Sequence, residues 1–321
     1  MGSLTPAGLL LISGPTGSGK SRVAASLAEN IDGEIVNGDS IQIYRGFDIG
    51  SAKPSPEIRR SIPHHLYDRL DPDEHLDVAG WVALAEDAIE SIRGRKNIPI
   101  VVGGTNFYLR SLLRGLPELP SRQPELRRRL DSILRRSGGA RHLHRLLRSI
   151  DPASGERISP SDRHRIERAI EVFAASGKPI SAFERPSPEK PPRYRHAQYA
   201  LHVDRPELRR RLDERVENMY EAGLVEEVRD LLDRYSADLR PFGSIGYREV
   251  VDHLRGVVTL EAAIETTKRR TWAYARRQMT WLRAERDVQW VDATKSTESI
   301  VDFITDSYER SMNEESAETN R

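Results

Sequence analysis

The stretch that decides the fold is LLLISGPTGSGKS, residues 9–21. Its first five residues are an apolar run typical of a buried strand, and the residues from Lys20 to about Asn30 are expected to form a helix. Residues 14–21 match the motif G-x-x-x-x-G-K-[ST] in full, and they stand between that strand and that helix, as the motif requires. The sequence therefore predicts a P-loop, the name used below for residues 14–21.

A P-loop binds phosphate groups through its backbone and through two side chains. Its glycines let the backbone N–H groups point inward at phosphate oxygens, and the N-terminus of the following helix adds positive potential. We expect Lys20 to reach the terminal phosphate and the Ser21 hydroxyl to hold Mg²⁺, the one cofactor predicted. The expected phosphate contacts are Gly14, Pro15, Thr16, Gly17, Ser18, Gly19, Lys20 and Ser21.

Strands and helices alternate on the C-terminal side of the P-loop. Residues 34–36 and 98–102 are further short apolar runs, and residues 76–92 between them have helical spacing. Residues 199–203 and 288–291 are later strand candidates. Helices are expected at 205–222, 224–235, 247–254 and 260–285. This order predicts an α/β protein with a P-loop-type parallel sheet as its core and helices flanking the sheet.

Residues 117–192 interrupt this alternation, because they contain no convincing strand. Basic helical segments are expected at 124–136, 140–149 and 162–176, and prolines mark both edges. We therefore predict a mostly helical insertion domain. The predicted division is 1–116 for the first part of the core, 117–192 for the basic insertion, 193–312 for the second part of the core with basic C-terminal helices, and 313–321 for a frayed acidic tail.

The net charge is small, 50 basic minus 49 acidic residues, but its distribution is uneven. Residues 117–196 carry 18 Lys/Arg and 10 Asp/Glu, a net of +8, and residues 265–286 carry 7 and 2, a net of +5. Of the 50 basic residues 43 are arginine, whose planar guanidinium suits phosphates and bases. Two basic segments in a near-neutral protein favour an acidic partner such as nucleic acid, although solvated arginine-rich helices would give the same composition.

The composition excludes several classes of site. The chain has no cysteine, which rules out disulfides, thiolate metal sites and a cysteine nucleophile. It has no apolar run of about eighteen residues and no basic segment before the apolar residues 9–12, so neither a membrane span nor a signal peptide is predicted. We expect a cytoplasmic protein with no membrane partner.

One acidic residue follows a strand closely enough to join the P-loop site. ATPases usually have an acid at the end of a hydrophobic strand to anchor magnesium, but the strand at 98–102 ends in a Gly-Gly-Thr sequence. The acid present is Asp39, which follows the strand at 34–36 within the polar sequence NGDSIQIYR. A lone aspartate there is most often a turn residue. The hydrogen-bonding side chains around it favour a functional site.

Further motifs follow the P-loop in a fixed order. They are DSIQIYRGFDIGSAKP at 39–54, PHHL at 63–66, VGGTNFY at 102–108, IGYRE at 245–249 and RQMTWLR at 277–283. Together with the P-loop they resemble the bacterial members of the tRNA isopentenyltransferase family, the tRNA dimethylallyltransferases. The resemblance spans about residues 9–292, and the combination is specific where the P-loop alone is not.

This resemblance implies prenyl transfer to RNA. The family moves a dimethylallyl group from dimethylallyl diphosphate to N6 of adenosine 37, beside the anticodon, in tRNAs that read codons beginning with U. It implies that the P-loop holds the prenyl diphosphate rather than ATP, that the tRNA anticodon stem-loop is the partner, and that residues 117–192 bind tRNA. No obligate protein partner is expected, and the protein is expected to be a monomer.

The resemblance also implies roles for individual residues. Asp39 becomes the general base that accepts the N6 proton, and Lys20 and Thr105 stabilise the leaving diphosphate. Arg127 or Arg215 is expected to bind the diphosphate as well, and an ordinary surface charge is the alternative for either one. The expected tRNA contacts are Asp39, Ser40, Ile41, Gln42, Arg165, Arg168, Gly246, Tyr247, Arg248, Arg276, Arg277, Gln278 and Arg283.

Some side chains near these motifs have a simpler interpretation. Adjacent side chains on a short loop or strand point apart, so we interpret His64 and His65 as structural residues and not as metal ligands. The helical apolar spacing favours core positions for Trp272 and Trp281 over base stacking. At position 164 this chain has His where the family motif has Gln, which leaves one base contact of the family unsupported.

Three other functions remain open at this point. An adenylate isopentenyltransferase, acting on free AMP, ADP or ATP, would share the P-loop and Asp39. Those relatives commonly have Lys where this chain has Ser40, and they lack the GSAKP run at 50–54. A P-loop kinase of a small molecule would explain the P-loop but not the Gly-Gly-Thr motif or the basic C-terminal helix. A non-catalytic RNA-binding protein would tolerate the loss of Asp39.

Overall fold

The computed structural model describes residues 8–116, 119–183, 191–285 and 287–319, with the backbone alone for 313–319. The chain divides into two compact units. The first, called the core unit, comprises residues 1–114 and 192–321, and the second, called the insertion unit, comprises residues 115–191. Among the described residues, no helix combines the length and the apolar composition that a membrane span needs.

The core unit is built on a six-stranded sheet in which all neighbouring strands are parallel. The strands are β1 (Leu9–Ser13), β2 (Gly33–Asn37), β3 (His64–His65), β4 (Ile98–Val102), β5 (His196–His202) and β6 (Gln289–Asp292). Their order across the sheet is β3-β2-β4-β1-β5-β6. The prediction of an α/β fold with a parallel sheet is confirmed, and β1, β4 and β2 are consecutive strands of that sheet.

Helices flank the sheet and build the insertion unit. In the core unit they are α1 (Lys20–Asn30), α2 (Pro56–Ser61), α3 (Val78–Gly94), α4 (Asn106–Arg114), α10 (Arg205–Glu221), α11 (Leu224–Leu232), α12 (Tyr247–Leu254), α13 (Leu260–Ala284) and α14 (Thr297–Thr319), with a 3₁₀ turn at Arg240–Gly243. In the insertion unit they are α5 (Pro124–Leu134), α6 (Gly139–Ile150), α7 (Pro152–Arg157), α8 (Arg163–Ser176) and α9 (Ile180–Phe183).

The sheet of the core unit separates two apolar cores. Successive side chains of a strand point to opposite faces, and β1 follows this rule. Leu9 and Leu11 belong to the core that contains buried residues of α3, α4, α11 and α12. Leu10 and Ile12 belong to the core that contains buried residues of α1, α10 and α14. All four side chains are fully buried, which explains why this segment is apolar without alternation.

The insertion unit has its own apolar core and one buried ionic cluster. Leucine and isoleucine side chains of α5, α6 and α8 form the apolar core. Beside it, the fully buried Glu171 accepts hydrogen bonds from Arg127 (2.7 and 2.9 Å), Arg168 (2.5 Å) and the backbone N–H of Gln123 (2.7 Å). Burial raises the pKa of Glu171, but these hydrogen bonds outweigh it and lower the pKa to about 2.

The largest departure from the sequence prediction is at the C-terminal end. A frayed tail is predicted for 313–321, whereas α14 continues to Thr319. Ile300, Ile304 and Tyr308 recur every fourth residue and pack into the core on the α1 face of the sheet. That stripe anchors the helix to the sheet.

Candidate active site

The carboxyl ends of three consecutive strands bring the predicted catalytic segments together. The P-loop follows β1, Asp39 follows β2, and the Gly-Gly-Thr sequence that ends in Thr105 follows β4. Ligands of open parallel sheets bind outside the carboxyl ends of the strands, where neighbouring connections diverge. The sheet order β2-β4-β1 therefore explains how segments between residues 14 and 105 form one site that includes Lys20 of the P-loop.

The P-loop has the backbone that phosphate binding requires. Gly19 precedes α1 with φ of 86°, a left-handed conformation that glycine adopts without strain. The first N–H groups of α1 therefore point into the loop, as in other helix N-termini that bind anions. The Ser18 hydroxyl is buried inside the loop and has no hydrogen-bond partner among the described residues. A phosphate oxygen is the kind of group that would satisfy it.

Three charged side chains interact at the P-loop. The pKa of Lys20 is lowered to about 8, mainly by burial and then by the positive charge of Arg215, while the Asp39 carboxylate opposes the change. Burial also lowers the pKa of Arg215, which Asp39 again opposes. Two desolvated cations facing one carboxylate leave a net positive site, which favours a polyanionic ligand.

Asp39 is held by a turn of its own loop. Asn37 Oδ1 accepts a hydrogen bond from Asp39 N–H at 2.9 Å. Asp39 Oδ1 in turn accepts bonds from the N–H groups of Ile41 (2.8 Å) and Gln42 (3.4 Å). Both acceptor contacts use Oδ1, so Oδ2 takes no part in this turn. Asp39 is thus a turn residue and also a member of the charged cluster, two roles that the sequence presented as alternatives.

Thr105 completes the site from the β4 side. Its hydroxyl is buried and lacks a partner at normal hydrogen-bond geometry among the described residues, although the phenol of Tyr274 lies within interaction range. Burial raises the pKa of Tyr274, and the negative charge of Asp39 raises it further. Tyr274 belongs to α13 and was not predicted as a site residue. Its position four residues before Gln278, on the same helical face, is the signal that could have identified it.

Gln278 joins α13 to both the P-loop and the segment after β4. Its Oε1 accepts a hydrogen bond from Thr16 N–H at 2.9 Å, and its Nε2 donates to Gly104 O at 2.8 Å. A Cβ at Gly104 would lie 2.2 Å from that Nε2, so only glycine permits the contact. The side chain is buried, and its amide is already used. Gln278 therefore links two segments of the protein, and its contact with tRNA stays a prediction.

Comparisons with known proteins agree with this geometry. A family model described as IPP transferase matches residues 42–285, and one described as isopentenyl transferase matches residues 7–69. A tRNA dimethylallyltransferase of Geobacter metallireducens is 46% identical over 272 residues, covering 84% of this chain and 88% of the relative. The enzyme of that name from Anaeromyxobacter dehalogenans is 45% identical, with 84% and 90% covered.

The chain belongs to the tRNA dimethylallyltransferase family. Two solved structures show the same fold. The tRNA isopentenylpyrophosphate transferase of Bacillus halodurans superposes with a TM-score of 0.74 at 33% identity, covering 99% of this chain and all of that one. A eukaryotic dimethylallyltransferase acting on tRNA superposes with a TM-score of 0.73 at 30% identity, covering 89% and 74%. The resemblance to the family that the motifs indicated is confirmed.

Three further residues of the predicted tRNA-binding set are buried and have structural roles. Gln42 donates from Nε2 to Ser51 O (3.0 Å) and Ala52 O (3.2 Å). Gly246 begins α12 with its N–H bound to the side chain of Glu249, and Tyr247 is fully buried. These contacts give Gln42, Gly246 and Tyr247 structural roles in this tRNA dimethylallyltransferase, and their direct contacts with tRNA stay predictions.

Other predicted contacts lie on the surface of their unit. Four of the predicted tRNA contacts in the core unit are exposed arginines, namely Arg248, Arg276, Arg277 and Arg283. Ser40 and Ile41 are half-buried. In the insertion unit, Arg165 is 67% exposed and pairs with Asp162 at 3.4 Å. Arg127 and Arg168 are both held by Glu171, so the diphosphate contact predicted for Arg127 stays a prediction. Of the two arginines predicted to bind the diphosphate, Arg215 is the one that lies in the core unit together with Lys20.

The two tryptophans are both partly buried. Trp272 packs against the core on the α1 face of the sheet, in keeping with its predicted core position, whereas Trp281 is not part of that core. The Arg209 guanidinium lies 5.7 Å from the Trp272 ring centroid, and the Arg110 guanidinium lies 5.7 Å from that of Trp281. Each ring therefore packs one side against the protein and lies beside a cation at the surface.

The magnesium site predicted at Ser21 fits the residues present. Ser21 is exposed on the first turn of α1, and no group of three or more His, Asp or Glu residues that could hold a metal occurs in the described part of the chain. Mg²⁺ commonly binds through one or two protein oxygens together with phosphate oxygens and water. A single hydroxyl beside a phosphate-binding loop is a donor set of that kind.

His65, which we interpreted as a structural residue, has its ring nitrogen Nε2 2.6 Å from the carboxylate of Glu34.

A half-buried carboxylate that sequence analysis missed holds the loop after β2. Glu227 of α11 accepts hydrogen bonds from three successive N–H groups, those of Asp48 (3.2 Å), Ile49 (2.7 Å) and Gly50 (3.3 Å). It also accepts one from the Tyr247 hydroxyl at 2.7 Å. Burial raises the pKa of Glu227 in spite of these donors. The glutamate thus fixes the family segment 48–50 from inside the protein.

Replacing Glu227 with glutamine should destabilise the core unit. The amide keeps one acceptor oxygen but turns an N–H₂ group toward donors, which leaves backbone N–H groups of the half-buried residues Ile49 and Gly50 without their acceptor. We expect the free energy of unfolding to fall by about 1–3 kcal/mol, measured by urea denaturation. Glu226→Gln is the matched control, because Glu226 is an exposed neighbour on the same helix with a loose ion pair to Arg229 (3.6 Å). Equal stability of the two variants would contradict the role given to Glu227.

Proposed function

We propose that this protein transfers a dimethylallyl group from dimethylallyl diphosphate to N6 of adenosine 37 in tRNAs that read codons beginning with U. The products are N6-isopentenyladenosine in tRNA and diphosphate. Family membership supports the reaction class. The observation that carries the proposal is the meeting of Lys20, Arg215 and Asp39 at a P-loop, because it unites a diphosphate site with a carboxylate suited to accept a proton.

The donor side of the reaction uses the positive charge of the site. The bond between C1 of the dimethylallyl group and the diphosphate oxygen breaks, and its electron pair stays on that oxygen. The N–H groups of the P-loop, Lys20 and Arg215 stabilise the developing charge, and the Thr105 hydroxyl is a further donor. Because these groups are desolvated before the reaction, they need little reorganisation when the charge appears. Mg²⁺ held by Ser21 and the diphosphate would supply further neutralisation of this leaving group.

The acceptor side needs a base. The N6 amine of adenine is a weak nucleophile, and its new bond to C1 creates a cationic nitrogen that must lose a proton. We propose that Asp39 accepts this proton through the carboxylate oxygen that lies outside its own turn. The adenine must leave the base stack of the anticodon loop to reach Asp39. The proton, the prenyl group and the leaving electron pair are then all accounted for.

An open pocket beside Arg215 suits the five-carbon group. It has a volume of about 400 Å³ and includes the apolar side chains of Ile49, Ala52 and Met219. A chain attached to a diphosphate at Lys20 and Arg215 would find apolar surface there. Since Glu227 holds the backbone at Ile49, the pocket has a fixed wall. We therefore propose this pocket for the dimethylallyl chain.

The direct test is incubation of the protein with labelled dimethylallyl diphosphate, Mg²⁺ and either unmodified tRNA or AMP. We expect label in N6-isopentenyladenosine after nuclease digestion of the tRNA, and none on AMP. An anticodon stem-loop with guanosine at position 37 should take up no label. Label on AMP alone would indicate the adenylate isopentenyltransferase alternative, and consumption of ATP without any isoprenoid product would indicate a kinase.

Binding of tRNA should weaken steeply as salt increases. Each neutralised phosphate releases counterions, so contact with about six phosphates gives a slope of about −4 in log affinity against log salt. The basic residues of α13 are expected to contribute, and the double variant Arg276→Gln/Arg283→Gln should reduce the magnitude of the slope by about 1.4. Filter binding of tRNA measures this. Arg310→Gln on α14 is the control, and a slope near zero for the unaltered protein would contradict the RNA assignment.

We also propose that the protein acts as a monomer in the cytoplasm, without an obligate protein partner. The proposal is supported by a site whose P-loop, carboxylate and Thr105 all come from one chain. Sedimentation at enzyme concentrations used for the transfer assay tests it, since a dimer that loses activity on dilution would contradict it.

A further inference from the structure

An exposed aromatic pair lies close to the catalytic segment. Phe107, on the first turn of α4 and two residues after Thr105, is 48% exposed. Its ring meets that of Trp281 at a centroid distance of 6.5 Å and an interplanar angle of 67°, so the two rings do not cover each other's faces. The Arg110 guanidinium lies over the Trp281 ring. We call Phe107, Arg110 and Trp281 the aromatic platform.

The aromatic platform is fixed to the active site by two contacts of α13. Trp281, Gln278 and Tyr274 lie on one face of this helix, at a spacing of three and four residues. Gln278 holds Gly104, and its backbone oxygen accepts a bond from the Asn106 side chain at 3.2 Å. Tyr274 interacts with Thr105 and Asp39. The platform therefore continues the helical face that closes the catalytic site.

The composition of the aromatic platform matches one class of ligand. Unpaired RNA bases are commonly bound by stacking on exposed aromatic rings and arginine planes, with further arginines near the phosphates. Arg110 supplies the cation at the platform itself, and Arg277 and Arg283 are exposed farther along α13. This positive charge favours a polyanion over an apolar protein surface as the occupant.

We propose that the aromatic platform stacks one unpaired nucleobase that flanks the adenine at Asp39. The proposal rests on the proposed function, since it assigns part of the same RNA substrate. A flanking base held at Phe107 anchors the strand while the target adenine leaves the stack. Phe107 and Trp281 then act as positioning residues, and they set which unpaired loops are accepted.

The first test compares two exposed phenylalanines of the core unit. Phe107→Ala should weaken binding of an anticodon stem-loop by about 5- to 100-fold, the range found for loss of one base-stacking contact. Phe303→Ala is the matched control, because Phe303 is 45% exposed on α14, and it should leave binding unchanged. Phe107→Tyr should bind as the unaltered protein does, whereas Phe107→Leu should be as weak as alanine. Unchanged pyrophosphate affinity in each variant shows that the core unit is folded.

The second test places 2-aminopurine at each position flanking the target adenosine. Its fluorescence should be quenched at one flanking position on binding the unaltered protein, and the quenching should be lost with Phe107→Ala. An abasic nucleotide at that position should weaken binding as much as Phe107→Ala, and the combination should be no weaker than either alone. Additive losses, or equal quenching in both proteins, would overturn the proposal. So would a dimer of the unaltered protein that dissociates in Phe107→Ala, because a second copy would then cover the platform.

The experiments distinguish a failure of the proposed transfer reaction from a failure of the stacking proposal. If the unaltered protein forms no isopentenyladenosine, the transfer reaction itself is wrong. If transfer proceeds and Phe107→Ala behaves as Phe303→Ala does, only the aromatic platform is wrong.

Discussion

Replacing Asp39 with asparagine is expected to lower the kcat of prenyl transfer by at least about 100-fold and to leave tRNA affinity unchanged. A general base typically contributes about 10²- to 10⁴-fold. Asparagine keeps the Oδ1 acceptor that binds Ile41 and Gln42 N–H, so the loop is preserved while the basic oxygen is removed. Steady-state transfer from labelled donor at saturating tRNA measures kcat, and filter binding measures the affinity.

Two variants control for the loop. Asp39→Ala removes both the base and the turn, so it should lose transfer and also unfold at a lower temperature than Asp39→Asn. Asp230→Asn, at an exposed position of α11, should behave as the unaltered protein. Near-normal turnover by Asp39→Asn would refute the base assignment, and a non-catalytic RNA-binding protein would then account for the site.

Replacing Lys20 with methionine is expected to weaken pyrophosphate binding by about 10- to 150-fold at pH 7, or about 1.5–3 kcal/mol, the range for a hydrogen bond to a charged group. The Lys20 ammonium is one of the two cations that interact at the P-loop, and its removal leaves Arg215 as the other. Isothermal titration with pyrophosphate measures the loss. Lys295→Met, at an exposed loop position, is the control, and equal affinity in the two variants would contradict the role of Lys20.

The lowered pKa of Lys20 also makes donor binding depend on pH. Above a pKa of about 8 the free site has lost the Lys20 proton, while a bound diphosphate favours the charged form. Binding must then take up a proton, so pyrophosphate affinity should fall by up to about tenfold per pH unit above pH 8. Titration at pH 9 in two buffers of different ionisation enthalpy should show uptake of about one proton. In Asp39→Asn the fall in pyrophosphate affinity should begin at lower pH, because the Asp39 carboxylate raises the pKa of Lys20.

The sequence was sufficient for the parts of the fold that depend on local pattern. The apolar runs predicted β1 and β4 at their observed bounds, and the P-loop motif predicted the start of α1 at Lys20. The two-residue strand β3 was missed because two histidines carry no apolar pattern. Helix α14 was missed, although its stripe of Ile300, Ile304 and Tyr308 is visible in the sequence, because the polar residues around it dominate the composition.

The site was harder to predict than the fold, because a motif does not say which side of a helix faces inward. Gln278 lies in phase with the buried residues Thr271, Ala275 and Leu282 of α13, which is the signal that would have placed it in the interior. Tyr247 is likewise in phase with Val250 and Val251. The partners of these side chains, such as Glu227, come from distant segments. No local spacing could have identified them.

The side chain of Gln278 ties the long C-terminal helix α13 to the P-loop. Its carboxamide accepts the Thr16 amide hydrogen and donates to Gly104, so it is held at both ends. The Thr16 N–H group is therefore already paired within the protein. One neutral side chain, more than 260 residues away in the sequence, thus limits which backbone donors of the loop are free for an anion.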